Sequence, residues 1–591
     1  MKTKLTALAL AIGMAYAASP AFGQAIISST GSGNDAYIEQ NASVGVFGVI
    51  TQVGDGNIAG TPGAAPSDPA LAIGILQKNS TAVNAVLEQT GAANTASITQ
   101  HAASLSDAAT SQSGNANQTV VSQTGASQSA LVLQTGNGNS ATVTQSDANQ
   151  TASVMTTNSN NGSATIHQAD GLAVGNAASI VQDEVLNQSA AITQFGDNQS
   201  ATITQDDGAK EGGAVITQSG DSHTANVVQT GTWFSQASVT QIDSQNTASV
   251  TQGPFADASV ATVVQSGANQ NAVIDQSGGT VPGANGTVQG DYKATITQSG
   301  GYSNTATVMQ SNGYNDVATI NQIDTHDQVA TVTQSGNDNR ANVTQNSGAQ
   351  QGSASVTQSG HSNTAGVLQT DTWFSTAYVT QGGSFNTASV TQGDAADYSI
   401  ATIEQSGNTN AASIHQSGGA VSPADGSVQG LYQATVTQSG DGNIASVAQS
   451  NGYQDVASVT QDGAFQTAAI TQDNGNASTA TISQQGTLNL AAVAQNNASA
   501  VWAQIGQNGN NNDAAISQGG IGLYANVTQS GDWSYANLAQ SGNGSFANIV
   551  QIGDGTSFAT RNIASILQTG DSHIASISQA GNANHAAIWQ H

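Results

Sequence analysis

Asn94-Thr95-Ala96-Ser97-Ile98-Thr99-Gln100 is the stretch that decides the fold. Its residues alternate in character, and alternation with period two marks a β-strand, because successive side chains point to opposite faces. One face carries Asn94, Ala96, Ile98 and Gln100; the other carries Thr95, Ser97 and Thr99. The same unit returns at Asn246 to Gln252, Asn304 to Gln310 and Asn443 to Gln449, and in looser form along most of the chain. Elsewhere its first position is Ser, Gln or His, as at His223 and His573.

The closing Gln is the most regular tooth. It falls at Gln77, Gln89, Gln100, Gln112, Gln123, Gln134 and Gln145, then at Gln194, Gln205, Gln218, Gln229, Gln241 and Gln252. It continues through Gln310, Gln334, Gln345, Gln369, Gln392, Gln449 and Gln472, and runs on through Gln529, Gln540 and Gln551 to Gln579 and Gln590. The usual step is 11 to 13 residues. A fixed period over most of a chain signals a repeat architecture. Between strands lie four to six residues rich in Gly, Ser, Asn and Asp, such as Ser299-Gly300-Gly301-Tyr302-Ser303. Gly and Asn tolerate positive φ and supply tight corners. The expected fold is all-β: a β-solenoid of about two dozen stacked two-strand coils, each of roughly 22 to 24 residues.

The Ala and Val/Ile positions hardly vary, whereas the Thr/Ser face admits Tyr378, Trp589, Arg340 and His415. A tolerant face is a solvent face, so Ala and Val/Ile point inward, flanked by the amides. Buried amides are costly unless hydrogen-bonded. Stacked copies about 4.8 Å apart bond one another along the axis, satisfying donor and acceptor together. The predicted stacking ladder therefore includes Asn94, Asn139, Asn246, Asn304 and Asn443 with the Gln residues named above.

Of 591 residues, 4% are aromatic and 7% charged, too little bulky apolar material for one conventional core of this size but enough for a thin two-layer coil. Formal net charge is −29. After a leader carrying Lys2 and Lys4, the basic residues are Lys78, Lys210, Lys293, Arg340 and Arg561, which argues against nucleic acid or an anionic membrane surface as partner. The acidic surplus favours a soluble unpaired chain, and Asp221, Asp338 and Asp441 in corners slow premature strand pairing. There is no Cys, hence no disulfide.

Residues 1–23 read as a secretory signal peptide: basic Lys2 and Lys4, an apolar stretch Leu5 to Tyr16, then Ala21-Phe22-Gly23, with cleavage before Gln24 and Ala17 as the alternative site. That apolar run is too short for a membrane span, and no later segment is long enough. A short leader, 24–37, precedes a repeat array over 38–591. A loop insertion near 57–70 holds Pro62, Pro66 and Pro69, and the phase loosens from Thr156 to Val185. An internal duplication relates 218–345 to 358–472 at an offset of about 140: Thr232-Trp233-Phe234-Ser235 matches Thr372-Trp373-Phe374-Ser375, Gly290-Asp291-Tyr292 matches Gly430-Leu431-Tyr432, and Asn312-Gly313-Tyr314 matches Asn451-Gly452-Tyr453. The matched aromatics are expected on outer faces or corners.

The nine His are scattered without metal-ligand spacing. Acidic corners such as Gly54-Asp55-Gly56-Asn57 lack the glycine-rich nonapeptide of calcium-loaded solenoids. Carboxylates are isolated and basic residues few, which does not suit a hydrolase needing two carboxylates at a set separation. No catalytic residue, metal or cofactor is expected. Outward Thr-x-Thr pairs, among them Thr142-Val143-Thr144 and Thr202-Ile203-Thr204, resemble the faces of ice-binding solenoids. Ser, Asn, Val and Ala interrupt them, and strand propensity alone favours outward Thr. Ice binding and a non-polymerising adhesin are the alternative readings.

The inward Asn or Ser, Ala, Val or Ile, and Gln, with a Gly-rich corner, resemble the curlin repeat, Ser-x5-Gln-x-Gly-x-Gly-Asn-x5-Gln. Asn94 to Gln100 and Asn139 to Gln145 fit its Asn half, Gln134-Thr135-Gly136-Asn137-Gly138-Asn139 fits the corner, and Asn584 to His591 is similar to a curlin terminus. This chain has several times the repeats of known curlins. The resemblance implies a secreted subunit of curli-like amyloid fibres on the surface of a Gram-negative cell, exported through the periplasm and a curli-type outer-membrane channel. It implies self-association as a homopolymer, with other curlin subunits or a nucleator as further partners, and a role in biofilm, adhesion and aggregation.

Overall fold

The computed structural model describes residues 23–59, 74–169, 175–278, 290–418 and 430–591. The chain divides into two compact units, Met1–Tyr292 and Lys293–His591. Each is a β-solenoid of two parallel sheets. In the first unit one sheet runs from Gln24–Thr30 through Phe47–Val53 and Asn84–Ala92 to Asn271–Ser277. The other reaches Val260–Ala268. In the second unit the sheets begin at Lys293–Tyr302 and Thr305–Tyr314 and reach His585–Gln590 and Ile574–Ala580. The chain visits the sheets alternately, so beyond the first coils each strand pairs with the strand after next. Pairing in register puts like on like: Ala141 faces Ala164, Val143 faces Ile166 and Gln145 faces Gln168. One residue of slip would turn every inward side chain outward, so the period-two pattern fixes the register.

The core is narrow and built from small residues. Ala96, Ile98, Ala141, Val143, Ala318 and Ile320 are buried to within 1% of completely, as are their counterparts in most coils. The alternating Thr and Ser between them are half-buried or exposed. Corners turn on positive φ: in Gln89-Thr90-Gly91-Ala92-Ala93, Gly91 has φ +114° and Ala93 +55°. Gly91 is required twice over, since a Cβ there would run into the carbonyl of Gly114 one coil on.

Three segments differ from expectation. The expected leader, 24–37, is itself part of the stack: Gln24–Thr30 pairs in parallel with Phe47–Val53, and Asp35–Ala36 with Ile58–Ala59. The insertion begins later than position 57. Asn57 is fully buried, and Ile58–Ala59 and Ile75–Lys78 are the two halves of one interrupted strand, both pairing with Thr95–His101. Pro62, Pro66 and Pro69, like nearly all of the signal segment 1–23, lie outside the described residues. Among the matched aromatics, Trp233 and Trp373 are half-exposed in corners, but Tyr292 and Tyr432 are fully buried. Each of these tyrosines stands six residues before a Gln, in the inward Asn position. The expectation of outer faces or corners therefore fails for these two, whose spacing from Gln places them on the inward face.

Candidate functional site

The candidate site is the set of amide rows. Gln77 Nε2 donates to Gln100 Oε1 (3.0 Å), Gln100 to Gln123 (2.9 Å), Gln123 to Gln145 (3.0 Å), and the row continues through Gln168 to Gln194 and Gln218. A second row in the same unit joins Gln182 to Gln205, Gln229 and Gln252. In the second unit Gln310 bonds Gln334, and Gln507, Gln529, Gln551 and Gln579 form the far part of that row. The companion row takes in Gln345, Gln369 and Gln392, then Gln449 and Gln472, and later Gln540, Gln568 and Gln590. Glutamines consecutive in sequence therefore belong to different sheets. Gln529 and Gln551 bond each other, whereas Gln540 bonds Gln518 and Gln568.

The second Gln N–H has a use that the axial ladder does not reveal. It donates across the coil to a backbone carbonyl at the start of the preceding strand: Gln112 to Thr95 O (3.0 Å), Gln145 to Ser129 O (3.1 Å), Gln449 to Gln433 O (3.2 Å). A Gln with both bonds thus ties coil to coil and sheet to sheet. A shorter side chain cannot reach both partners, which explains why Gln holds this place.

The Asn rows work differently from the expected amide-to-amide ladder. Asn443 Nδ2 donates to Ser439 O and Gly463 O, both at 3.0 Å, and its Oδ1 accepts the N–H of Gln466 (3.0 Å). Asn94, Asn139 and Asn246 repeat this bonding to backbone, and Asn304 Oδ1 likewise accepts the N–H of Gln328. Where Gln takes the position the fit is poorer: Gln466 Nε2 keeps the donor role to Gly486 O (2.8 Å), but among the described residues Oε1 of Gln128, Gln199 and Gln466, and Nε2 of Gln188 and Gln328, are buried without a partner. The fit of the shorter amide is the reason for Asn. His223 substitutes well: Nδ1 accepts the N–H of Asn246 (3.3 Å) and Nε2 meets Ser219 O (3.1 Å), which selects the neutral ring with hydrogen on Nε2. Burial lowers its pKa.

A further row went unread in the sequence. In the corners Gln112-Ser113-Gly114-Asn115 and Gln134-Thr135-Gly136-Asn137, Asn137 Oδ1 accepts the N–H of Asn115 (3.1 Å). Asp441 and Asp532 do the same for Asn408 (2.9 Å) and Asn510 (2.7 Å). Asp441, expected only to delay pairing, therefore also holds the coil before it. The signal was Asn or Asp three residues after Gln. On the outer face, Trp502, Tyr524 and Phe546 stack in register with ring centroids 4.3 and 4.7 Å apart. Thr rows are mixed: Thr142 faces Thr165, which faces Ala191. Among the described residues no group of three or more His, Asp or Glu could hold a metal ion, and no helix is long and apolar enough to cross a membrane.

Fold and rows together define a parallel β-solenoid stapled by internal amide ladders. Two stretches of the chain, 114–146 and 559–591, match the family model described as the curlin associated repeat. They contain Gln123, Gln134 and Gln145, and Gln568, Gln579 and Gln590. No curated protein matches the chain. Curlin repeats on this solenoid fit a curli-like structural protein.

Proposed function

We propose that the chain is a secreted structural subunit of a curli-like amyloid fibre, working in the extracellular matrix of a Gram-negative biofilm in adhesion and aggregation, and not an enzyme. Growth is templated: an open coil edge adds the matching edge of another subunit. The observation that carries this reading is the repetition of one coil edge: Ala, Val or Ile, and Gln stand in register on like residues, as Ala586, Ile588 and Gln590 do on Ala564, Ile566 and Gln568. The edge of any such coil matches the edge of any other, backbone ladder included. The rows are also polar. The axial Nε2–Oε1 bonds all run toward the following copy, so opposite edges offer donors and acceptors. Gln52 Oε1, facing Ser29 instead of a Gln, is a buried acceptor without a partner among the described residues.

On this reading the partners are other copies of the chain, other curlin subunits or a nucleator, and a curli-type outer-membrane channel, following a secretory signal at 1–23. The test is seeded assembly of the purified chain from Gln24 onward. The expected result is conversion from soluble protein to β-rich fibres, with the lag removed by preformed seeds. A protein that stays monomeric with seeds, or that instead shapes ice crystals as a monomer, overturns the proposal.

A further inference from the structure

A carboxylic acid stands within an otherwise uncharged inward row at two places in the second unit. Asp316 lies six residues before Gln322 and Asp455 six before Gln461, the position Asn443 holds before Gln449. Both are fully buried. One oxygen of each does the work of an Asn Oδ1: Asn339 N–H donates to Asp316 Oδ1 at 2.8 Å, and Ser478 N–H to Asp455 Oδ1 at 2.9 Å. The other oxygen takes the place of Nδ2, which in Asn443 donates to two carbonyls. Among the described residues neither Asp316 Oδ2 nor Asp455 Oδ2 has a hydrogen-bond partner. Gly452 and Gly475 close over Asp455 so tightly that a Cβ on either would collide with its carboxyl. A carboxylate can only accept, whereas a protonated carboxyl has an O–H to donate where the row needs a donor.

We propose that Asp316 and Asp455 make the stacking of their coils acid-dependent: each coil closes around a neutral carboxylic acid whose O–H stands in for the Asn N–H, and ionisation loosens it. The surrounding charges agree. Asp338 on the following coil opposes ionisation of Asp316, and His361, 3.6 Å from Asp338, offsets this only when protonated. Lys293 and Arg340, on the flanking strands, occupy exposed outward positions. Near Asp455 stands Tyr432, whose hydroxyl accepts the N–H of Gly452 at 2.6 Å and which also feels the charge of Asp473. Burial pushes Asp316 up to about 7 and Asp455 up to about 6 from 3.8. Because the folded values lie above the unfolded one, the stability they govern is complete below about 3.8 and is lost as pH rises to about 7 and about 6 respectively.

The experiment is amide hydrogen exchange of the full chain at pH 5 and pH 8, corrected for intrinsic rates, for wild type and the Asp316→Asn/Asp455→Asn double variant. Asn fits because neighbouring coils carry it. In wild type, protection of Val317–Ile323 and Val456–Ala464 should fall between pH 5 and pH 8 by about a hundredfold and about tenfold more, respectively, than that of Tyr524–Ser530, whose coil has no acid in this row, because the two folded values lie about two units and about one unit above pH 5 and each unit is worth a factor of about ten. The double variant should lose that excess and be the better protected at pH 8. Equal pH dependence in both proteins, or a double variant that is no better protected or fails to stack at pH 8, overturns the proposal. The readout concerns closure of coils within one chain, so it stands apart from fibre formation.

Discussion

The Gln row of the first unit has one broken rung, and repairing it tests the ladder by gain rather than loss. Thr156 stands in register between Gln134 and Gln182. Its hydroxyl reaches only Leu133 O, at 3.4 Å. Among the described residues Gln134 Nε2 and Gln182 Oε1 are consequently buried without partners, whereas Gln182 Nε2 still bonds Gln205 at 2.8 Å. Leaving a buried amide atom unpaired costs about 1–3 kcal/mol. Thr156→Gln supplies a partner to both, a gross gain of about 2–6 kcal/mol. Ordering the new side chain takes back about 2 kcal/mol, leaving a net local stabilisation of about 0–4 kcal/mol, centred on about 2 kcal/mol. A solenoid does not unfold as one cooperative unit, so a global melting curve would blur this effect. Hydrogen exchange reads it locally: protection should rise tenfold or more in Ser129–Asn137 and Ala177–Asp183, since about 1.4 kcal/mol is a factor of ten. Thr156→Ala should leave both strands nearly unchanged, because both orphaned atoms remain. Unchanged or reduced protection in a folded Thr156→Gln protein would refute the claim that axial amide bonds set coil stability.

Other consequences are checked more simply. Replacing Gln529, Gln540 and Gln551 with Ala breaks both rows of the second unit, orphaning amides on Gln507, Gln518, Gln568 and Gln579; at about 1–3 kcal/mol for each lost partner, seeded growth followed by dye fluorescence should slow at least tenfold. Tyr524→Ala removes two ring stacks, to Trp502 and Phe546, worth about 0.5–1.5 kcal/mol each beyond area, and exchange should quicken in Trp502–Asn510 and Phe546–Ile552. Asp55 accepts the backbone N–H and the hydroxyl of Ser32, which hold its pKa below 3.8. Its folded value is depressed, so its contribution is present above 3.8 and is lost as pH falls through the folded value; protection of the Gly31–Gly33 corner should drop on titration to pH 2, and Asp55→Asn should remove that dependence.

Much of this architecture was legible because one face of every strand obeys one rule. Asn94, Ala96, Ile98 and Gln100 announce strand, inward face and ladder at once, and consecutive copies set the coil length. What escaped was whatever depends on the third dimension of the coil. The assignment of Gln540 to a different row from Gln529 requires knowing that alternate strands share a sheet. The carbonyl that Gln112 reaches on Thr95 lies on the opposite strand, 17 residues back, and no local pattern marks it. Tyr292, Tyr432, Asp316 and Asp455 break the residue-type rule while keeping its spacing, so composition hid them where counting back from Gln would have found them. Asn57 and the strand halves Ile58–Ala59 and Ile75–Lys78 were obscured because the insertion enters in the middle of a strand rather than at a corner.

The central claim is that subunits add edge to edge so that the amide rows run along the fibre. Diffraction from magnetically or flow-aligned fibres of the purified chain tests it most directly. Edge-to-edge stacking predicts a sharp meridional reflection near 4.8 Å, with strands perpendicular to the fibre axis and the sheet-spacing reflection on the equator. A reflection near 4.8 Å on the equator instead, meaning strands parallel to the fibre and solenoids joined side by side, would contradict it.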